Sequence, residues 1–417
     1  MRIRPLLALG LAALIGGIGP ASRAQPPAPE HDPVQALAED VQSGKITLDQ
    51  AAASPWGYLP ALLKALNIPV ASQVLVFSKT SLQADKIGPK TPRAIYFNDD
   101  TAVAGVPGGR LSEILTAGTD GQIAFYSLDT APTARPKIEP EGELCYSCHG
   151  SVNTWAAGMI VANVIPQDDG APLILSVERL FDITDSTSPF DQRWGGWYVT
   201  GHHGALRHNG NVRLPTDAAT ELDVGPGQNV TDLSSRVDLK AYLAPTSDIV
   251  ALMTLEHQLG AMNRIWTLQA QSRALASTAE PKRITAAQLD QSVEDLVAYL
   301  VGAHETPLPG PVKGVSGFTQ TFQTRGPRDA HGRSLRDFDL KTRLFRYPLS
   351  YTIYSRAFNG IEPALRDRIY KRLFEVLSGA DTSPTFARLT VEDRRAALEI
   401  LRDTKPDLPA YWRAAGA

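Results

Sequence analysis

The hydrophobic positions of the chain follow a strand-like pattern over residues 72 to 128. Short runs rich in β-branched and aromatic residues alternate there with glycine, proline and aspartate, which is typical of strands and turns. The runs are 74–77, 94–97 and 123–128. Asn98-Asp99-Asp100 is interpreted as a turn, because these side chains bond their own backbone; a calcium site is the alternative. The pattern predicts a β-rich module.

A helical period replaces this pattern from residue 248 onward. Apolar residues recur every three or four positions over 248–274, as they do along one face of a helix. Thr285 with Gln288 and Thr390 with Asp393 have the spacing of helix caps. Further helices are predicted over 34–53, 59–66, 285–301, 365–377 and 390–401. The order of elements predicts an α+β fold, with the strands first.

Changes in composition divide the chain into six segments. The run Thr306 to Pro311 contains three prolines and a glycine, and such a run is typical of a boundary. The segments are 1–24, a signal peptide; 25–70, a proline-rich leader with short helices; 71–140, the β-rich module; 141–304, a central region; 305–316, a linker; and 317–417, a helical C-terminal region.

The N-terminus has the pattern of an export signal. Arg2 and Arg4 precede the apolar run Leu6 to Ile18, and Ser22-Arg23-Ala24 offers a small-x-Ala cleavage site. The apolar run is short for a membrane span, so we expect no stable span after cleavage, with an uncleaved anchor as the alternative. The sequence therefore predicts an exported, periplasmic protein.

The charge of the chain excludes one class of partner. Without residues 1–24 it has 38 basic and 44 acidic residues, a net charge of −6. Nucleic-acid binding is therefore not expected, because it generally needs a clustered positive face. Serine-hydrolase triads, phosphate-binding glycine loops and His-Glu-x-x-His zinc motifs are not recognised either.

Both cysteines of the chain lie in the motif Cys145-Tyr146-Ser147-Cys148-His149. Cys-x-x-Cys-His is the pattern by which haem is attached covalently to a protein. The alternatives are a redox dithiol, half of a zinc site or a disulfide. A zinc site would need two further ligands without a second cysteine pair, and a thioredoxin-like motif follows a strand instead of a stretch rich in proline and glycine. The motif favours haem.

In these five residues the chain resembles c-type cytochromes. The resemblance implies one covalent haem c, with thioethers at Cys145 and Cys148 and His149 as the proximal iron ligand. It also implies a periplasmic location, a redox role and a mainly helical, cytochrome c-like haem region over 141–304. The whole chain is similar to large exported bacterial proteins with one mid-chain haem motif. It departs from two-haem cytochrome c peroxidases and rubber oxygenases, which have two motifs.

The sixth ligand of the iron has several candidates. Distal ligands of small cytochromes c commonly follow the proximal histidine by several tens of residues, and a histidine cluster follows His149 by 53 to 59 positions. His203 is preferred within that cluster. The alternatives are His202, His208 and Met253, and Met159, Met262 and His257 complete the set.

Large aromatic residues precede the histidine cluster. Trp194 and Trp197 are expected to line the haem pocket, and Arg193 or, as the alternative, Arg207 to pair with the haem propionates. A glycine-rich turn beside an aromatic core patch is the alternative for the same stretch.

The sequence predicts a periplasmic monohaem cytochrome that exchanges single electrons with a periplasmic donor or acceptor. An alternative is a haem-dependent oxidoreductase, a peroxidase or oxygenase, with an open distal iron position and a small-molecule substrate. In that case His203, His208 or His257 would transfer protons. A haem-based sensor is a further alternative. Catalytic residues are not assigned.

Overall fold

The strands form one antiparallel sheet of seven and a separate pair. The computed structural model describes residues 32–50, 54–118, 123–142, 145, 149, 161–173, 182–215, 222–278 and 284–414. The sheet has the order β6-β5-β4-β3-β2-β1-β9, and β7 pairs with β8. The strands are β1 (Val74–Val76), β2 (Arg93–Phe97), β3 (Thr101–Gly105), β4 (Leu111–Ala117), β5 (Ile123–Asp129), β6 (Ile138–Glu141), β7 (Ala162–Asn163), β8 (Asp182–Ile183) and β9 (Trp197–Tyr198).

Helices dominate the second half of the described chain, so the α+β prediction is confirmed. They are α1 (Pro33–Gln42), α2 (Leu59–Ala65), α3 (Ile249–Ala276), α4 (Ala286–Leu300), α5 (Phe318–Gln323), α6 (Arg356–Asn359), α7 (Pro363–Leu377), α8 (Val391–Thr404) and α9 (Tyr411–Ala414).

The sheet has a hydrophobic layer on each face, because successive side chains of a strand point to opposite sides. In β5, Ile123 and Phe125 belong to one buried cluster, whereas Ala124 and Tyr126 belong to the other. The first cluster continues through α3 and α4 to the C-terminal helices. The second packs the opposite face against α1, α2 and residues 233–242. The sheet therefore lies between two helical layers.

The turn between β2 and β3 confirms the interpretation of Asn98-Asp99-Asp100. The Asn98 side chain accepts hydrogen bonds from the backbone N–H groups of Asp100 and Thr101, at 3.1 and 2.9 Å. Asp99 forms an ion pair with Arg336 of the C-terminal region. Within the described ranges, no three His, Cys, Asp or Glu side chains are grouped to hold a metal ion.

The long helix α3 is buried on almost every side, as expected of a helix at the centre of a protein. Asp248 caps its N-terminus and also accepts hydrogen bonds from Val315 and Ser316. The predicted linker is bonded to the rest of the protein as well: Lys313 and His202 exchange backbone hydrogen bonds of 2.7 and 2.8 Å. The buried cluster of α3 extends to residues on both sides of 305–316.

Several boundaries differ from the sequence predictions. α1 ends at Gln42 instead of 53, before Gly44 with φ +79°, a conformation suited to glycine. In region 141–304 the α-helices with described bounds begin only at Ile249, and β9 of that region pairs with β1. Among the helices in the described ranges, none combines the length and the apolar character needed to cross a membrane. The predicted signal peptide lies outside the described residues.

Candidate functional site

Cys145 and His149 are the two residues of the motif that the structure describes. Both have helical backbone and are half-buried, and the Cys145 N–H donates to the Gly142 carbonyl at 3.0 Å. Residues four apart in one helix share a face, so helical backbone at both positions suits a thiol and an imidazole directed to the same side. Cys148, the second predicted thioether, lies outside the described residues, as does Met159.

The motif packs against the sheet face that also faces α3. The His149 ring lies 5.1 Å from the ring of Phe125 in β5, at an angle of 44°. Cys145 packs against the same buried cluster. β6 ends at Glu141, four positions before Cys145, so a strand precedes the motif where the prolines and glycine of the sequence predicted none.

The donor set fits haem c. A thiol and an imidazole are the groups that bond to a vinyl carbon and to iron. The buried Phe125 ring beside His149 gives this imidazole an apolar neighbour. Cys145 and His149 would therefore hold the group, together with Cys148.

His203 and His208 form a buried pair whose hydrogen-bond donors and acceptors are assigned from their partners. Both are 1% exposed, and their Nε2 atoms are 3.2 Å apart. The Gly210 N–H donates to Nδ1 of His208, so the proton of that ring lies on Nε2, which donates to His203. The Asn229 N–H also donates to Nε2 of His203, whose Nδ1–H then donates to Leu206 O. With these tautomers both rings are neutral, and the single lone pair of His203 Nε2 is shared between the Asn229 N–H and the His208 Nε2–H.

Burial keeps this pair uncharged. Loss of hydration lowers the pKa of His208 to about 3, with a smaller contribution from His203, and desolvation also lowers the pKa of His203. Binding of iron by Nε2 of His203 would first have to break its bonds with Asn229 and His208. Its predicted role as distal ligand stays a prediction, as does that of His208. His202, an alternative candidate for the distal ligand, is exposed.

We expect the effect of His208→Gln on the free energy of unfolding to depend on pH. At pH 7.5 we expect a loss of about 1–3 kcal/mol in the free energy of unfolding, because an amide does not have the ring geometry with which His208 bonds Gly210 and His203 at once. The wild-type histidine has its pKa lowered on folding, so its favourable contribution is present above about pH 6.5 and is lost as the pH falls toward about 3. The difference between the two proteins should shrink by up to about 1.4 kcal/mol per pH unit in that range.

Urea unfolding of both proteins at pH 7.5, 5.5 and 4.5 measures this difference. His331→Gln, at an exposed histidine, is the matched control. A difference between His208→Gln and wild type that stays constant with pH would contradict the assignment of a neutral buried pair.

The residues predicted to line a haem pocket are buried and contact other residues of the protein. Trp194 is fully buried, and its ring lies 5.3 Å from that of His208. Trp197 donates its indole N–H to Ala162 O at 2.8 Å. Arg193 is 2% exposed and forms an ion pair with Glu256 of α3 at 3.2 Å. The structure thus joins Arg193, Trp194 and the histidine pair into one cluster against α3.

Sequence reasoning missed the buried carboxylate of this cluster. Glu256 is 0% exposed and accepts a hydrogen bond from Thr184 Oγ1 at 2.7 Å in addition to its contact with Arg193. Burial raises its pKa, and Arg193, Thr184 and Trp194 oppose that effect. An acidic residue inside an otherwise apolar stretch of helix was the available signal, because such a residue is seldom buried without a partner.

The candidate iron ligands on α3 are Met253, Met262 and His257, and they lie in different surroundings. Met253 and Met262 are 4% and 0% exposed and belong to the main hydrophobic cluster. His257 faces the C-terminal region, where its Nε2 lies 2.7 Å from Ser350 Oγ. Ligation of iron by Met253 stays a prediction.

Comparison of the chain with protein-family models, curated protein sequences and solved structures finds no match.

Proposed function

We propose that this chain is a periplasmic monohaem c-type cytochrome that transfers electrons. The observation that carries the proposal is that Cys145 and His149, four positions apart, both have helical backbone and lie against the apolar cluster that contains Phe125. When bound, haem c would supply one-electron redox chemistry at its iron. Cys145 and Cys148 would hold it through thioethers, and His149 would ligate the iron. The export signal at 1–24 agrees with assembly outside the cytoplasm.

The surroundings of the turn suit this role. The sheet face beneath Phe125 is apolar and continuous with α3, so it would exclude water from one side of the group. Burial in a dry, low-dielectric environment is one of the factors that set the redox potential of a haem. The net charge of −6 after signal cleavage favours encounter with basic electron partners.

Loss of both cysteines tests the proposal. We expect protein produced in the periplasm with a cytochrome c maturation system to retain its haem after acid-acetone extraction and to give a c-type pyridine haemochrome. The double variant Cys145→Ser/Cys148→Ser should retain none, because both thioether bonds are lost. Ser147→Ala, at a variable position of the motif, should retain haem as the wild type does.

A wild type whose mass shows no covalent haem, or whose haemochrome lacks the c-type signature, would overturn the proposal. Thermal unfolding of the serine variant separates loss of attachment from failure to fold.

A haem-dependent oxidoreductase with an open distal position is the second candidate. The observation in its favour is that the nitrogens of His203 and His208 are all engaged in protein hydrogen bonds. An imidazole whose lone pair is already engaged is a poor candidate for a second strong ligand. High-spin iron that reacts with peroxide would favour this candidate over the electron carrier.

A further inference from the structure

A cavity of about 370 Å³ lies where α3 and α4 meet the C-terminal region. His257 of α3 and Leu300 of α4 form one wall, the segment 342–350 forms another, and Arg388 and Leu389 close it from the side of α8. Its volume is within the range of small-molecule sites, which are frequent where separate parts of a fold meet. Neither Cys145 nor His149, the two described residues of the motif, lines the cavity.

The deep end of the cavity presents an imidazole with one unused nitrogen. His257 is 4% exposed, and its Nε2 lies 2.7 Å from Ser350 Oγ. Its Nδ1 is buried without a hydrogen-bond partner in the part of the chain that the structure describes. A buried polar atom without a partner costs about 1–3 kcal/mol, so this nitrogen is suited to a ligand.

Aromatic contacts fix this ring in place. It stacks on Tyr299 with centroids 5.5 Å apart and meets Phe345 edge-on at 5.1 Å. Burial lowers the pKa of His257 to about 4, so the ring is neutral near pH 7 and Nδ1 offers one hydrogen bond in either tautomer.

The outer end of the cavity carries an available positive charge. Arg343 is neutralised by Asp393, with contacts of 2.6 and 3.3 Å. Arg388 is exposed and donates Nη1–H to the carbonyl of Glu305 at 2.8 Å. Among the described residues, no carboxylate forms an ion pair with Arg388. Its remaining N–H groups can bind a carboxylate in a forked geometry.

Both acidic residues of the cavity have partners within the protein. Asp393 is paired with Arg343, as above. Glu305 accepts the Leu344 N–H at 2.9 Å, and burial raises the pKa of its carboxyl. The lining also includes the apolar side chains of Leu300, Val301, Phe345, Leu349 and Leu389.

We propose that this cavity binds a small organic acid whose carboxylate contacts Arg388, whose apolar body lies against Leu300 and Phe345, and whose far end carries an oxygen bonded to His257 Nδ1. The cavity is separate from the proposed haem site, so this proposal can fail without affecting the proposed cytochrome function, and the reverse also holds.

Titration calorimetry of the full mature protein with ω-hydroxycarboxylates of graded chain length tests the proposal. At least one length should bind, and its ω-hydroxyamide, which lacks the charge, should bind at least about tenfold more weakly. Arg388→Gln should weaken binding by a similar factor. Arg395→Gln, at a residue that is 71% exposed on α8 and outside the cavity, is the matched control and should leave binding unchanged.

A second measurement reports on the deep end. In protein labelled with ¹⁵N-histidine, saturation with the bound acid should shift the Nδ1 resonance of His257, whereas the resonances of His331 should not move. No binding at any chain length, equal affinity for acid and amide, or an unchanged His257 resonance at saturation would overturn the proposal. An equal loss of binding in Arg388→Gln and Arg395→Gln would also overturn it.

Discussion

Glu256→Ala is expected to lower the free energy of unfolding by about 3–5 kcal/mol, because it leaves the buried Arg193 guanidinium without its counter-charge. Arg193 would retain its hydrogen bonds to Ser186 O and Ser188 O, but backbone carbonyls do not neutralise a full charge in a dry interior. Glu256→Gln should cost less, since an amide oxygen can still accept from Thr184 or Arg193.

Urea unfolding at pH 7.5 provides the measurement. Asp290→Ala, which removes an exposed ion pair with Arg368 whose side chains are 63% and 46% exposed, is the control and should cost about 0–1 kcal/mol. Arg193→Met combined with Glu256→Ala should recover part of the loss, because no unpaired charge remains. A loss within 1 kcal/mol for Glu256→Ala would show that Arg193 is not a buried cation that depends on this carboxylate.

Asp248→Ala is expected to cost about 3 kcal/mol. The Asp248 side chain is fully buried and accepts from Val250 and Ala251 at the start of α3, at 2.8 and 3.3 Å. Its second oxygen accepts from Val315 and Ser316, at 2.9 and 2.8 Å. Loss of the helix cap accounts for about 0.5–2 kcal/mol, and the two loop N–H groups left without an acceptor account for the remainder.

Asp248→Ser separates these two contributions, because a serine can cap α3 but has a single oxygen. It should fall between wild type and Asp248→Ala in urea unfolding, with the Val315 and Ser316 amides losing protection from hydrogen exchange. Glu362→Ala, at the exposed cap of α7, is the control for a cap alone. Unchanged protection of Val315 and Ser316 in Asp248→Ala would contradict the role of Asp248 as a clamp.

Helices with strong local signals were predictable from the sequence. The capping boxes at Thr285 and Thr390 are both present, and the helices start at the next residue, as predicted. Strands β3 and β4 were not predicted. Three of the five residues of β3 are alanine or glycine, which have weak strand preference, and the strand is paired with β2 and β4 on its two sides. β9 has only two residues, which is too short to show a period.

The contacts within the candidate site could not be predicted from the sequence, because the residues in contact are far apart along the chain. Arg193 was expected to meet a propionate, and the structure places it against Glu256 on α3. His203 and His208 were counted as separate ligand candidates, whereas a glycine-containing loop brings their rings together. Spacing alone does not specify such a contact, since a loop has no fixed period. The motif at 145–149 was recognisable because all of its chemistry is local.

The place of β9 at the edge of the sheet has a consequence for the order of assembly. Synthesis from the N-terminus produces β1 to β6 first, then the motif, and only afterwards the residues of β9, which pair with β1. The first six strands pair with their sequence neighbours, and local pairings form fastest. The edge of β1 therefore stays open until Trp197 and Tyr198 follow, so closure of the sheet by β9 is a late step that waits for about 55 further residues after β6.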